Sequence, residues 1–132
     1  MSDRALRWAI AIVDLDPAIG HEQAGRRRAL IVSNEAFHRA GLIMVCPITT
    51  AWATPRYPGD VAIPKGHAGQ TEDAVILCSQ VRTISVQRIK AADVIAGGGV
   101  RYVADATIRS HVRAALSHHL GLDIPGPADG AA

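Results

Sequence analysis

Three consecutive arginines near the N-terminal end of the chain are the first residues that could carry chemistry. Arg26, Arg27 and Arg28 follow a short polar segment, residues 20–25, which begins and ends with glycine. A guanidinium keeps its charge at any working pH, and its planar fork of N–H donors suits a phosphate. The pattern favours a phosphate-binding loop, and a solvated basic turn explains it equally well.

Polar residues also end two apolar segments farther along the chain. Thr49 ends one segment, and Gln80 and Arg82 end the other. Gln80 and Arg82 share a face if the second strand continues, because side chains alternate along a strand. Such residues line a site about as often as they face water, and a threonine at a strand end usually reflects β-propensity alone.

Length and composition are typical of a globular chain. With 132 residues, we expect one domain over residues 1–123 and a flexible tail over 124–132. Apolar residues make up 48% and charged residues 20% of the chain, which excludes an intrinsically disordered protein. No segment approaches the ~18 apolar residues of a membrane span, and no secretory signal is expected. We therefore expect a soluble, cytoplasmic protein without a membrane partner.

Charge and cysteine content exclude further classes of protein. The formal net charge of +2 is too small to indicate nucleic-acid binding by itself. Aromatic residues make up only 4% of the chain, so a broad aromatic platform for stacking bases is not expected. Cys46 and Cys78 lie in apolar runs without metal-ligand spacing, so we expect two reduced core thiols and no metal site.

The segments that must position these residues are mostly strands. We predict strands over residues 9–15, 29–32, 42–49, 61–64 and 74–81, with a further candidate over 93–96. Residues 16–28 and 50–59 are expected to be loops, and a brief helix is expected over 35–39. Pro47 implies an edge strand or a bulge, because proline cannot donate a hydrogen bond to a neighbouring strand.

The C-terminal part has the pattern of an amphipathic helix. Apolar residues recur there at helical spacing, at positions 108, 112, 115, 116 and 120. Asp105 is the expected N-cap and Gly121 the expected terminator. Short strands followed by this helix predict a mainly β fold with α: a small, curled, barrel-like sheet with the helix packed on it.

Taken in chain order, these pieces resemble the MazF/PemK toxins. The matching segments are VDLDP (13–17), GHEQAGRR (20–27), ALIVSN (29–34), VCPIT (45–49), YP (57–58) and AVILCSQVRT (74–83). The resemblance spans roughly residues 7–122. No single segment is diagnostic, but their occurrence in the same order is highly specific.

The resemblance implies the toxin of a bacterial type II toxin–antitoxin pair. Its fold would be the SH3-like small β-barrel of the MazF, CcdB and Kid type, with a C-terminal helix packed on the sheet. It would cleave single-stranded RNA at specific sequences without a metal or cofactor, leaving a 2′,3′-cyclic phosphate and a 5′-hydroxyl. Its partners would be a second copy of the chain, in a homodimer, and a separate MazE-like antitoxin.

The same resemblance assigns roles to individual residues. Arg27 and Thr49 match the catalytic positions, where a guanidinium and a hydroxyl stabilise charge on the phosphate oxygens. Other polar residues would bind RNA: His21, Glu22, Gln23, Arg26, Arg28, Gln80 and Arg82. The base that removes the 2′-hydroxyl proton stays open between Glu22, His21 and no dedicated group. An acidic, disordered antitoxin segment would cross a groove lined by the three consecutive arginines and Arg82.

Two departures from the family pattern concern the site and the first strand. Arg28 stands where the family usually has proline, so a restraint on the dihedral angles of Arg27 is missing. Arg7, Trp8 and Ala9 stand where the family favours Arg-Gly-Asp or Arg-Gly-Glu.

Two other functions stay open. One is a CcdB-like poison of DNA gyrase, a function that the absence of a tryptophan from residues 126–132 opposes. The other is a catalytically weak homologue that only binds RNA or an antitoxin, which the substitution at Arg28 leaves open.

Overall fold

The structure is a computed structural model that describes residues 6–52, 54–92, 94–95 and 99–122. Its strands are β1 (Ile10–Asp14), β2 (Arg26–Ile31), β3 (Leu42–Thr49), β4 (Val61–Ile63), β5 (Ala74–Ile76), β6 (Arg82–Ser85), β7 (Ile89–Ala92), β8 (Val94–Ile95) and β9 (Gly99–Val100). Its helices are α1 (Glu35–His38) and α2 (Ala106–His119). The tail expected over residues 124–132 lies outside the described residues.

One antiparallel sheet forms most of the molecule. Its strands follow the order β4-β5-β3-β2-β1-β7, β6 also pairs with β3, and β8 and β9 form a separate ribbon. Among the described residues no pairing joins β4 to β7, so the sheet is open where a closed barrel would have no edge. The predicted class, a mainly β fold with a C-terminal helix, is confirmed.

Strand β3 is central, so the edge position, one of the two alternatives that Pro47 implied, is wrong. Residues 42–45 of β3 pair with β6, whereas residues 48–49 pair with β5. Pro47 lies between the two partners, and its carbonyl accepts a hydrogen bond of 2.7 Å from Leu77 N–H. The N and C=O groups of one strand residue point to the same side of the strand. The nitrogen of Pro47, which has no hydrogen, therefore points to the side on which β3 changes its partner from β6 to β5. A proline therefore costs this strand no ladder bond there.

The long strand predicted over residues 74–81 is broken in the structure. β5 ends at Ile76, a 3₁₀ turn spans Cys78–Gln80, and β6 begins at Arg82. The buried Asp60 carboxylate accepts a hydrogen bond of 2.7 Å from the Ser79 hydroxyl and holds this turn. The apolar run looked continuous because burial persists through residue 78 although the backbone changes direction.

The three arginines lie in a strand and not in the predicted loop. β2 begins at Arg26, three residues before the predicted start, and pairs with β1 along this extension. Arg26 stands opposite Asp14, so opposite charges face each other at the end of the ladder. The three side chains therefore alternate between the two faces of the sheet.

The sheet buries a cluster of apolar residues on each face. Leu30 packs in the cluster under α2, with Ile10, Cys46, Ile76 and Val112 among its members. Ala29 and Ile31 belong to the other cluster, which includes Val13, Leu15, Ile43 and Val45. Residues of β2 with even numbers therefore face α2, and residues with odd numbers face away from it.

Helix α2 confirms the predicted cap and terminator. The Asp105 carboxylate accepts a hydrogen bond of 2.9 Å from Ile108 N–H, and Gly121 has a φ of +73°. We predict that Asp105→Ala lowers the free energy of unfolding by about 1 kcal/mol, because an N–H of the first turn loses its partner. Urea denaturation measures this change. Asp105→Asn is the control, since it keeps the cap; an equal loss in both variants would contradict the capping role.

Trp8 explains one departure from the family pattern. Its φ of +72° lies in the left-handed region, where glycine is favoured. The ring is 5% exposed, and the guanidiniums of Arg7, Arg109 and Arg113 lie 5.2–5.3 Å from a Trp8 ring centroid. Burial and cation–π contacts offset the backbone strain of a large residue at this position.

The two cysteines are free and buried, as predicted. Their thiols form a hydrogen bond, which together with burial raises the pKa of Cys46 well above its usual value. The Cys46 thiol therefore remains protonated, and both side chains pack as small apolar groups. No helix among the described residues has the length and apolar character needed to span a bilayer.

Candidate functional site

A groove lies between the loop that follows β1 and the turn that precedes β6. Its volume is about 540 Å³. It is lined by Leu15, His21, Glu22, Gln23, Pro47, Ser79, Gln80, Val81 and Arg82. The structure thus brings together five of the residues predicted to bind RNA, from two segments more than fifty residues apart in the chain.

Side chains from the C-terminal half of the sheet hold the loop of this groove. Gln80 Oε1 accepts a hydrogen bond of 2.9 Å from Gln23 N–H. Arg88 Nη1 donates to the carbonyls of Asp14 and Asp16, at 3.0 and 2.6 Å, at the base of the loop. The loop is therefore fixed at its base and near its tip, although it contains no regular secondary structure.

Gln80 has a testable role as an anchor of the loop. We predict that Gln80→Ala speeds amide hydrogen exchange at Gln23 roughly fivefold, since the lost hydrogen bond contributes about 1 kcal/mol. Exchange measured by NMR checks this. The matched control is Gln87→Ala, which removes an exposed glutamine outside the groove. Unchanged exchange at Gln23 in the Gln80 variant would contradict the anchoring role.

The charged groups of the groove are mixed in sign. Arg82 Nη1 lies 3.9 Å from Glu22 Oε2, and Glu22 Oε1 accepts a hydrogen bond of 3.1 Å from Ile19 N–H. His21 is exposed beside them. The groove can therefore present one guanidinium to a phosphate and a carboxylate or an imidazole to a proton.

Thr49 and Arg27 lie at the ends of neighbouring strands. Thr49 is the last residue of β3 and 3% exposed, and its Oγ1 accepts a hydrogen bond of 3.1 Å from Ala51 N–H. Because the oxygen is the acceptor there, the hydroxyl hydrogen can be donated elsewhere. Arg27 is half-buried on β2, and its Nε donates to Ala24 O at 3.1 Å, which leaves the terminal nitrogens available.

The register of β2 and β3 relates these two residues. The observed pairing ends at Ala29 and Pro47. The same register, continued by two residues, sets Arg27 across from Thr49, on the face to which Pro47 belongs. Arg27 itself does not border the 540 Å³ groove. The site predicted from the sequence thus has two parts, the 540 Å³ groove and the pair formed by Arg27 and Thr49 next to Pro47.

Arg26 and Arg28 do not share the groove with Arg82, contrary to the single arginine-lined groove expected from the sequence. Alternation along β2 places them on the α2 face, with Leu30. The three consecutive arginines border two other cavities, of about 340 and 380 Å³. Ile12 also borders the 380 Å³ cavity.

Sequence reasoning missed several residues around these cavities. In the groove they are Leu15, Pro47, Ser79 and Val81, which lie inside the quoted segments but were not assigned to the site. Arg88 was also missed, since nothing in its local sequence indicates that it reaches a loop seventy residues away. In the described part of the chain, no group of three or more His, Cys, Asp or Glu side chains is arranged to hold a metal ion.

Comparisons with known proteins agree with this geometry. The profile of the PemK-like, MazF-like toxins of type II toxin–antitoxin systems matches residues 6–119. The endoribonuclease toxin ChpB of Escherichia coli K12 is 38% identical over 81 residues, which cover 61% of this chain and 69% of ChpB. The endoribonuclease EndoA of Bacillus subtilis 168 is 34% identical over 84 residues, which cover 63% of this chain and 72% of EndoA.

Solved structures show the same fold. MazF from Deinococcus radiodurans superposes with a TM-score of 0.66 at 26% identity, over 87% of this chain and 94% of that one. A MazE–MazF complex from the same organism matches with a TM-score of 0.61 at 27% identity, over 88% of this chain and 95% of that one. The resemblance found in the sequence is confirmed.

Proposed function

Because this chain belongs to the PemK-like, MazF-like toxins of type II toxin–antitoxin systems, we propose that it is a sequence-specific endoribonuclease that cuts single-stranded RNA. The observation that carries the proposal is the groove in which five predicted RNA-binding residues converge beside the ends of β2 and β3. The relatives named as endoribonucleases favour this function over a gyrase poison. We place the protein in the cytoplasm, where its substrate is.

The proposed reaction is an internal displacement at phosphorus. The ribose 2′-oxygen attacks the adjacent phosphorus and forms a P–O bond, and the bond from phosphorus to the 5′-oxygen of the next nucleotide breaks. The products are a 2′,3′-cyclic phosphate and a 5′-hydroxyl. The nucleophile is part of the substrate, so the proposed reaction requires no metal-activated water.

Arg27 and Thr49 would stabilise the transition state. Negative charge builds on the non-bridging oxygens as the fifth bond to phosphorus forms, and a guanidinium and a hydroxyl donor placed there oppose it. The hydrogen bond from Ala51 N–H orients the Thr49 hydroxyl before substrate arrives. Glu22 and His21 border the groove and can accept the 2′-hydroxyl proton, whereas Arg27 keeps its own proton. The leaving 5′-oxygen takes up a proton from the base that has just been protonated or from water, so the proton count balances.

An RNA cleavage assay tests the proposal. The purified protein is incubated in EDTA with a long single-stranded RNA, the cut sites are mapped, and the product ends are identified. Cyclic phosphates at a short recurring sequence are expected, and RNA with a 2′-deoxy nucleotide at the mapped site should stay intact. Absence of cleavage, or cleavage of the deoxy substrate, would contradict the mechanism.

The protein is proposed to act as a homodimer in which both copies border the RNA path. A single sheet of this size offers little concave surface. Light scattering at micromolar concentration is expected to give twice the mass of one chain. A monomeric mass in the active preparation would contradict this assembly.

The proposed inhibitor is a MazE-like antitoxin whose acidic segment folds on the groove. Arg82 inside the groove attracts carboxylates as well as phosphates, and a disordered segment can wrap the surface as it folds. An acidic peptide from the cognate antitoxin should displace labelled deoxy-substituted RNA, with salt weakening both ligands. A stable ternary complex of protein, peptide and RNA would contradict direct competition.

A further inference from the structure

A second, polar cavity lies at the end of the sheet where β2 begins and β3 ends. Its volume is about 340 Å³. It is bordered by Arg26, Arg27, Arg28, Ile48, Thr50, Gln70, Thr71 and Glu72. These residues come from the start of β2, the end of β3 and the turn before β5, so only the folded sheet brings them together. We call this cavity the arginine pocket.

The arginine pocket contains donors without acceptors. Gln70 is 4% exposed, and its Nε2 has no hydrogen-bond partner in the described part of the chain. The Arg26 guanidinium forms no hydrogen bond or ion pair within the same residues. A buried amide donor and a concentration of guanidiniums are both stabilised by an anion with several oxygens. The chemistry of the pocket thus suits a phosphate.

Arg28 gives this pocket a positive charge that the usual family residue would not supply. The family usually has proline at this position, which could not supply a charge. The structure turns Arg28 to the α2 face, where Leu30 also lies, and so away from the face of Arg27. The substitution therefore adds a positive charge to a pocket that Arg27 also borders.

We propose that the arginine pocket is a second phosphate subsite, which binds a backbone phosphodiester of the RNA on one side of the cleavage site. The inference rests on the proposed function. The pocket and the predicted catalytic pair lie at the same end of β2 and β3, where Arg26 begins one strand and Thr49 ends the other. A single strand that passes over this end of the sheet reaches both faces.

The lining of the pocket indicates what part of RNA it takes. No aromatic side chain borders it, so a base has no surface on which to stack. Thr50 and Thr71 add hydroxyl donors, and Glu72 can accept a hydrogen bond from a ribose hydroxyl. The subsite therefore extends the footprint of the RNA and increases its affinity without adding sequence preference.

A length series of uncleavable RNA tests the subsite. Oligonucleotides carry the mapped cleavage sequence with a 2′-deoxy nucleotide at the scissile position, and they grow by one nucleotide at a time on either side. For the wild-type protein we expect the affinity for RNA to rise several-fold when one particular nucleotide is added. This rise should occur on only one side of the scissile position. At that step the slope of log affinity against log salt should steepen by about 0.7, the value for one phosphate contact on a single strand.

Two variants and a matched control locate the effect. Arg28→Ala and Thr71→Glu should both remove this step, the first by deleting a cation and the second by adding an anion to an exposed position of the pocket. Arg39→Ala removes the same charge from an exposed position at the end of α1 and should keep the step. Circular dichroism melting checks that each variant is folded, and Thr71→Glu keeps the test valid if Arg28→Ala unfolds.

The outcomes separate the subsite from the proposed function. Cleavage of a short RNA by the wild-type protein tests the ribonuclease activity alone, whereas the length step tests only the arginine pocket. If the affinity of the wild-type protein shows no step as the RNA is lengthened, the subsite proposal is overturned. It is also overturned if both variants weaken the binding of short and long RNA equally. Loss of antitoxin-peptide binding in both variants with an intact RNA step would also overturn it, since the pocket would then serve the antitoxin.

Discussion

Arg27→Ala is expected to abolish RNA cleavage while the protein stays folded. The guanidinium would be the main positive group facing the phosphate oxygens, and the loss of one preorganised donor of this kind costs about 3–4 kcal/mol of barrier. This corresponds to a rate at least roughly a hundredfold lower. Because the side chain is only half-buried and its recorded hydrogen bond is to a loop carbonyl, the melting temperature should change little. Single-turnover cleavage of the mapped RNA measures the rate.

The lysine variant distinguishes geometry from charge. Arg27→Lys keeps the positive charge but lacks the planar fork of donors, so it should restore only a small part of the rate. Full activity in Arg27→Lys would show that charge alone suffices. Near wild-type cleavage in folded Arg27→Ala would remove Arg27 from the mechanism altogether.

Thr49→Val is expected to lower the cleavage rate about a hundredfold, the lower end of the range for a lost oxyanion donor. Valine keeps the branched shape and the β-propensity of threonine but has no hydroxyl to donate. The variant also leaves Ala51 N–H without its acceptor, which should lower the free energy of unfolding by about 1 kcal/mol. Cleavage kinetics and urea denaturation on the same sample separate the two effects.

Thr49→Ser is the matched control for this prediction. Serine keeps the hydroxyl and its hydrogen bond from Ala51 N–H, so activity should stay within a few-fold of wild type. If Thr49→Val lowers stability but cleaves at the wild-type rate, Thr49 is only a strand-end residue with good β-propensity. Equal losses of rate in Thr49→Ser and Thr49→Val would point to packing and not to the hydroxyl.

Local sequence patterns were sufficient for elements that neighbouring residues stabilise. β3 has the predicted bounds, Leu42–Thr49, because a run of apolar and β-branched residues is enclosed by Gly41 and a polar loop. α2 begins after Asp105 and ends before Gly121, since its cap, its apolar face and its terminator all lie within one segment. The two cysteines were predicted correctly because an apolar context indicates burial.

Predictions were wrong where a distant residue decides the local backbone. Arg26 belongs to a strand because Asp14 stands opposite it, and nothing near Arg26 in the sequence reveals this partner. The break after Ile76 depends on Asp60, which accepts the hydrogen bond from Ser79. Pro47 lies in a central strand because its neighbour changes there from β6 to β5.

The sequence by itself determined the family and the mainly β class, and it predicted a set of polar site residues, five of which border the groove. These follow from segment order, hydrophobic periodicity and residue chemistry, which are all local properties of the chain. Only the tertiary structure decided which of those residues share a cavity. Alternation along β2 sends Arg26 and Arg28 to one face and Arg27 to the other, and this follows from pairing with β1. The three arginines, which look like one cationic cluster in the sequence, therefore alternate between the two faces of the sheet, and all three still border the arginine pocket at its end.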